Sequence, residues 1–224
     1  MSTGAMMLAI LPEIGLLVLA IIVLALDALL RKPKQTYLGW LTAGGLVLVG
    51  VLAAIFSRPM AEPQLIWGGM LRLDAAAFAF RLIFLAGAAL TALFAADSPS
   101  LAKRGEFYAL LLFSTLGMSL MAAAYDLMMI YLAIETTSIP LYVMAGFLRE
   151  DQKSPEAGIK YLLFGAMTSA VMLFGFSLLY GFTGETRLDL LVSSAKSGEL
   201  AFSNLPGVVV LLPVMLILVG LGFK

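Results

Sequence analysis

Apolar residues along this chain come in long unbroken runs rather than in the alternating pattern of half-buried strands. The runs cover residues 10–30, 37–56, 73–95, 107–124, 126–148 and 154–182, with a last one from about 205 to 224. A helix of about 20 residues is ~30 Å long, the thickness of the bilayer's hydrocarbon core, so each run is predicted to cross a membrane. Long runs rich in Gly and Ala favour helices over a transmembrane barrel. Pro12-Glu13 suits the first turn of the first span, and Ser154-Pro155-Glu156 is a helix-start signal for the sixth. Residues 57–72 read as a Pro- and Gly-rich loop with Trp67 at interfacial depth, and residues 183–204 as a polar loop. The fourth and fifth runs have almost nothing between them, which makes those spans antiparallel neighbours.

The polar positions that interrupt these runs decide what the chain can do. Glu135 stands near the middle of the fifth span, where an acidic side chain costs at least ~2.5 kcal/mol to insert and is a functional candidate by default. Tyr131, Ser138 and Tyr142 share its helical face, and Pro140 leaves the Thr136 carbonyl without its helical donor. The bland alternative is a structural acid bonded to serine or tyrosine on a neighbouring span. Lys160 lies near the start of the sixth span, either as a partner for Glu135 or snorkelling to the interface. Lys224 ends the last run, and spacing assigns it nothing. Arg81 is a second charge within the third span, with Asp74 on its face; a structural ion pair or snorkelling accounts for it.

Composition agrees with a membrane protein and narrows the chemistry. The chain is 62% hydrophobic and 12% charged, and its mean hydropathy is +1.02. Lysine plus arginine and aspartate plus glutamate are 14 each, which points to no nucleic acid or acidic partner. Cysteine and histidine are absent, so thiolate and imidazole ligands for iron–sulfur, haem or zinc are missing, and no cofactor is expected in this chain. The first, third and fifth connections hold Arg31, Lys32, Lys34, Lys103, Arg104, Arg149 and Lys153, against Arg58, Arg72, Arg187 and Lys196 in the others. That bias places the odd connections in the cytoplasm and the N-terminus outside. One acid and two lysines in apolar helices suit proton movement. At ~4 Å and an effective dielectric of ~20 such a pair interacts by ~4 kcal/mol. Moving one charge against ~150 mV costs ~3.5 kcal/mol, a matching scale.

The residues around these charges resemble a known family, the antiporter-like membrane subunits of respiratory complex I, the proton-pumping NADH:quinone oxidoreductase, and most closely the N-subunit branch. The resemblance is carried by residues 131–142 (YLAIETTSIPLY), 154–166 (SPEAGIKYLLFGA), 179–184 (LYGFTG) and 220–224 (GLGFK). It implies an all-α, polytopic membrane bundle of about seven spans in this sequence, the N-terminal half of a fold with inverted five-helix repeats. Residues 1–106 then form three leading spans with an extracytoplasmic loop near 57–72, and residues 107–224 the first, truncated part of the repeat. By the same likeness Glu135, Lys160 and Lys224 carry protons. The subunit is then a non-redox part of the enzyme in a bacterial inner membrane or equivalent, with other complex I membrane subunits, lipid and protons as partners. Two alternatives stand beside this: a subunit of a multisubunit cation/proton antiporter, and a structural membrane scaffold. The run that ends on Lys224 without a polar flank reads as part of a longer protein.

Overall fold

The computed structural model describes residues 3–29, 37–59, 62–197 and 207–224. The basic cluster Arg31, Lys32 and Lys34 and the expected helix start at Leu205 and Pro206 lie outside the described residues.

Among the described residues six helices are long and apolar enough to cross a membrane: α2 (Leu11–Leu29), α3 (Leu38–Phe56), α4 (Ala75–Ala96), α5 (Gly105–Ala123), α6 (Leu127–Ala145) and α7 (Lys153–Thr183). They lie where the apolar runs place the first six spans. The seventh run is the shorter α9 (Gly207–Phe223). Two further helices were not expected from the runs, α1 (Thr3–Ala9) and α8 (Leu188–Ser197). Each is too short to span, and α8 falls within what the sequence reads as a polar loop.

Caps fix where two spans begin. Asp74 accepts a hydrogen bond from the Ala77 amide at 2.8 Å at the start of α4, and Asp126 accepts one from the Met128 amide at 2.9 Å at the start of α6. The predicted loop at 57–72 contains a small hairpin, β1 (Gln64–Ile66) against antiparallel β2 (Leu71–Leu73), with Ile66 opposite Leu71. Its tip, Trp67, Gly68 and Gly69, has positive φ throughout, a conformation that glycine adopts without penalty. The hairpin is stitched to the start of α6, and the start of α6 to the segment after α7. Tyr125 donates its amide to the Met70 carbonyl at 2.8 Å, and Leu127 donates to the Thr186 carbonyl at 2.9 Å. Arg187 closes on Asp189 there, which raises the arginine's pKa and lowers the aspartate's, chiefly through their hydrogen bonds.

Buried apolar residues fall into three clusters, one of them Ala9, Ile66, Leu71, Ala77 and Ala123 beneath the hairpin, and the other two pack the spans. Of these two, the first buries Leu16, Val23, Leu46, Ala92 and Leu112 between α2, α3, α4 and α5. The second gathers Leu127, Ile134, Met172 and Phe176 from α6 and α7, with Ile217 of α9 against them. Large apolar side chains such as Phe94 and Leu163 point outward, as a helix surface facing lipid requires.

Candidate functional site

α6 runs unbroken through Pro140, and the hydroxyls beside the proline turn back onto their own helix. Thr136 donates to the Leu132 carbonyl at 2.7 Å, Thr137 to Ala133 at 2.9 Å and Ser138 to Ile134 at 2.8 Å. These bonds satisfy polar groups that hydrocarbon cannot. They also occupy the Ser138 hydroxyl, so Glu135 finds its partners on other helices.

There are two. Ser169 of α7 donates to Glu135 Oε1 at 2.6 Å, and the Lys224 ammonium donates to the same oxygen at 3.0 Å. The ion pair is largely shielded, with side-chain exposures of 10% for Lys224 and 20% for Glu135. Lys224 also donates to the Tyr142 hydroxyl at 2.8 Å and lies 5.3 Å from the centre of the Tyr142 ring. The structure thus brings Glu135 and Lys224 together, with Tyr142 and Ser169 around them. They meet because α9 lies along α7, with Gly220 packed on Met172 and Gly175 against the Pro213 carbonyl, which leaves Lys224 and Ser169 on the same Glu135 oxygen.

Lys160 is placed elsewhere. Its ammonium pairs with Glu156, one turn earlier on α7, and both side chains are more than 60% exposed. Nine residues separate it from Ser169, ~13 Å along a helix. Its neighbour Tyr161 is the residue that reaches inward, packing edge-on against Tyr142 with ring centres 4.7 Å apart.

By spacing alone Ser169, one turn after Gly165, reads as a small residue that lets α7 press against a neighbour. That contact exists at Gly165, where a Cβ would stand 2.2 Å from the Tyr142 hydroxyl oxygen and 2.4 Å from the ring carbon that bears it. Tyr142 is 4% exposed and held by Tyr161, so it has nowhere to swing. Gly165→Ala is expected to push the Tyr142 hydroxyl off Lys224 and lower stability by ~1–3 kcal/mol. Thermal unfolding of the full-length protein checks this, with Tyr142→Phe, which removes only the hydroxyl, as the milder comparison; equal melting of Gly165→Ala and wild type would refute it.

The second intramembrane charge finds a partner that the sequence did not supply. Arg81 pairs with Glu13 of α2 at 2.8 Å, and Asp74 instead caps α4 and pairs with Arg72 at 3.1 Å.

With this geometry in hand, comparison with known proteins places the chain. Residues 124–224 match a family described as NADH:quinone oxidoreductase/Mrp antiporter, TM. The chain is similar to the NADH-quinone oxidoreductase subunit N of Anaeromyxobacter sp. (strain Fw109-5), at 36% identity over 95% of this chain and 42% of that protein. The chain belongs to this antiporter-like membrane family. A chain of respiratory complex I from Thermus thermophilus with bound aureothin has the same fold, with a TM-score of 0.70 at 29% identity, covering 94% of this chain and 43% of that one. The Mrp complex from Dietzia sp. DQ12-45-1b contributes a fold likeness alone, TM-score 0.69 at 21% identity, over 93% of this chain and 23% of that one. The chain spans a little under half the length of the curated relatives it matches, 42% in the first case. It is a multi-pass membrane protein.

Proposed function

We propose that this chain is the N-terminal part of the N subunit of a proton-pumping NADH:quinone oxidoreductase, a non-redox subunit that moves protons while electrons pass elsewhere in the assembly. The observation that carries this reading is the shielded contact of Glu135 with Lys224 at 3.0 Å. A carboxylate and an ammonium held in apolar surroundings stabilise each other's charge, so separating them favours proton uptake by the acid and proton loss by the amine. Ser169 keeps Glu135 Oε1 in place, and the Tyr142 hydroxyl offers Lys224 a second acceptor when the pair opens. Lys160 joins the route from the cytoplasmic side once its pair with Glu156 opens. In this reading the N-terminus is extracytoplasmic, the membrane is the bacterial inner membrane or its equivalent, and the partners are the other membrane subunits of complex I.

The test is Glu135→Gln in the full-length subunit within its assembled complex, with pumping measured per complex in sealed vesicles. Pumping and coupled NADH oxidation are expected to fall by tenfold or more, the scale of losing a positioned proton-transfer group. Wild-type pumping with altered thermal stability would leave a structural scaffold instead. Purification with cation/proton antiporter subunits and without flavin and iron–sulfur subunits would favour the antiporter reading.

A further inference from the structure

Two charges in this chain are buried more deeply than any in the proton site, and the proposed function does not use them. Arg81 of α4 and Glu13 of α2 have side-chain exposures of 2% and 7%. Ser119 of α5 donates to Glu13 Oε1 at 2.7 Å, the same oxygen that faces the guanidinium at 2.8 Å. Arg81 Nη1 reaches the Ala9 carbonyl at the end of α1 at 3.4 Å. One carboxylate therefore gathers α2, α4 and α5, and the arginine adds α1. The contact between the charges is an ion pair rather than an aligned hydrogen bond, since Arg81 Nε and Nη2 and Glu13 Oε2 have no hydrogen-bond partner among the described residues. Arginine holds its charge where lysine readily gives it up, which suits a fixed tie and not a carrier.

The tie lies close in sequence to a second feature of α5. Gly117, two residues before Ser119, lets the backbones of α5 and α6 touch: a Cβ there would stand 2.5 Å from the Thr137 amide nitrogen and 2.8 Å from the Thr136 carbonyl carbon. Thr136 and Thr137 follow Glu135 directly. Residues two apart point to nearly opposite sides of a helix, so α5 is held on one side by the ion pair and seats α6 on the other. The other partners of Glu135 come from α7 and α9, and α9 packs on α7. A shift of α5 therefore moves Glu135 against Ser169 and Lys224.

We propose that Glu13, Arg81 and Ser119 form a buried clasp that sets the position of Glu135 through Gly117, acting as positioning residues for the proton site. This rests on the proposed function above. The experiment compares Ser119→Ala, Gly117→Ala, Arg81→Gln and Arg81→Lys in the full-length subunit of the assembled complex, reading the pH dependence of pumping per complex. Ser119→Ala and Gly117→Ala are expected to move the pH of half-maximal pumping by about half a unit or more, because displacement changes how Glu135 and Lys224 stabilise each other's charge. Arg81→Gln is expected to move it further, and Arg81→Lys to return most of the way. Should Gly117→Ala not assemble, Ser119→Ala, which removes a single hydroxyl, decides alone. An unshifted profile in Ser119→Ala overturns the clasp as a positioning device, even where less complex accumulates. If Glu135→Gln abolishes pumping while Ser119→Ala is unshifted, only the clasp falls; if Glu135→Gln pumps normally, the proposed function falls first.

Discussion

Exchanging Glu135 and Lys224 for glutamine one at a time is expected to lower proton pumping more than tenfold in each case, with the double exchange losing far less than the product of the two. The reason is that both residues act through one contact. At 3.0 Å and an effective dielectric of ~20 their attraction is ~5 kcal/mol before screening, and exposures of 10% and 20% leave little water to screen it. Lys224→Gln leaves the Glu135 carboxylate shielded from water with Ser169 and without its countercharge. Glu135→Gln leaves the Lys224 ammonium with the Tyr142 hydroxyl and without its countercharge. In the double variant neither penalty remains. A coupling of ~2 kcal/mol, within the range for residues in contact, corresponds to ~30-fold between the observed double loss and the product of the singles. Pumping per assembled complex in vesicles measures all three variants. Losses that simply multiply would show that Glu135 and Lys224 serve separate steps.

The acid was legible because its surroundings are local. Glu135, its proline and the polar face shared with Tyr142 all lie on one helix, where a period of 3.6 residues suffices to group them. The partners were not legible from spacing, because they depend on how α7 and α9 sit against α6. Lys224 lies 89 positions from Glu135, beyond the reach of any periodicity within one helix. Ser169 carried a signal that was read for size alone: a serine one turn after Gly165 both allows close approach and offers a hydroxyl. The same limit explains Arg81. A search along its own helix found Asp74, whereas the real partner, Glu13, lies 68 positions away and reads on its own as an ordinary first-turn acid. The hairpin could have been found, because Gln64-Leu65-Ile66 and Leu71-Arg72-Leu73 flank a Gly-Gly tip. α8 was missed because a ten-residue helix with charged residues resembles a polar loop in composition.

Arg81→Leu is expected to cost ~3–5 kcal/mol of stability, the scale for removing one partner of a buried ion pair. It leaves Glu13 as a buried acid whose Oε2 has no hydrogen-bond partner among the described residues and whose Oε1 retains only Ser119. Adding Glu13→Leu is expected to restore most of that loss, because apolar side chains of similar size are often as stable as the buried pair they replace. Ser119 adapts at little cost, as its hydroxyl can turn to a carbonyl of the preceding turn in the way Thr115 already bonds the Leu111 carbonyl at 2.7 Å. Thermal unfolding of the full-length subunit in its complex checks both steps, and a double variant that melts as early as Arg81→Leu would refute the argument. The double variant also separates strength from geometry. Leucines at both positions fill space without direction, whereas Glu13 holds Ser119 at one distance and one angle. A chain that is stable yet keeps the shifted pH profile expected of Ser119→Ala is therefore the predicted outcome, since what Glu135 needs from α5 is its place rather than its firmness.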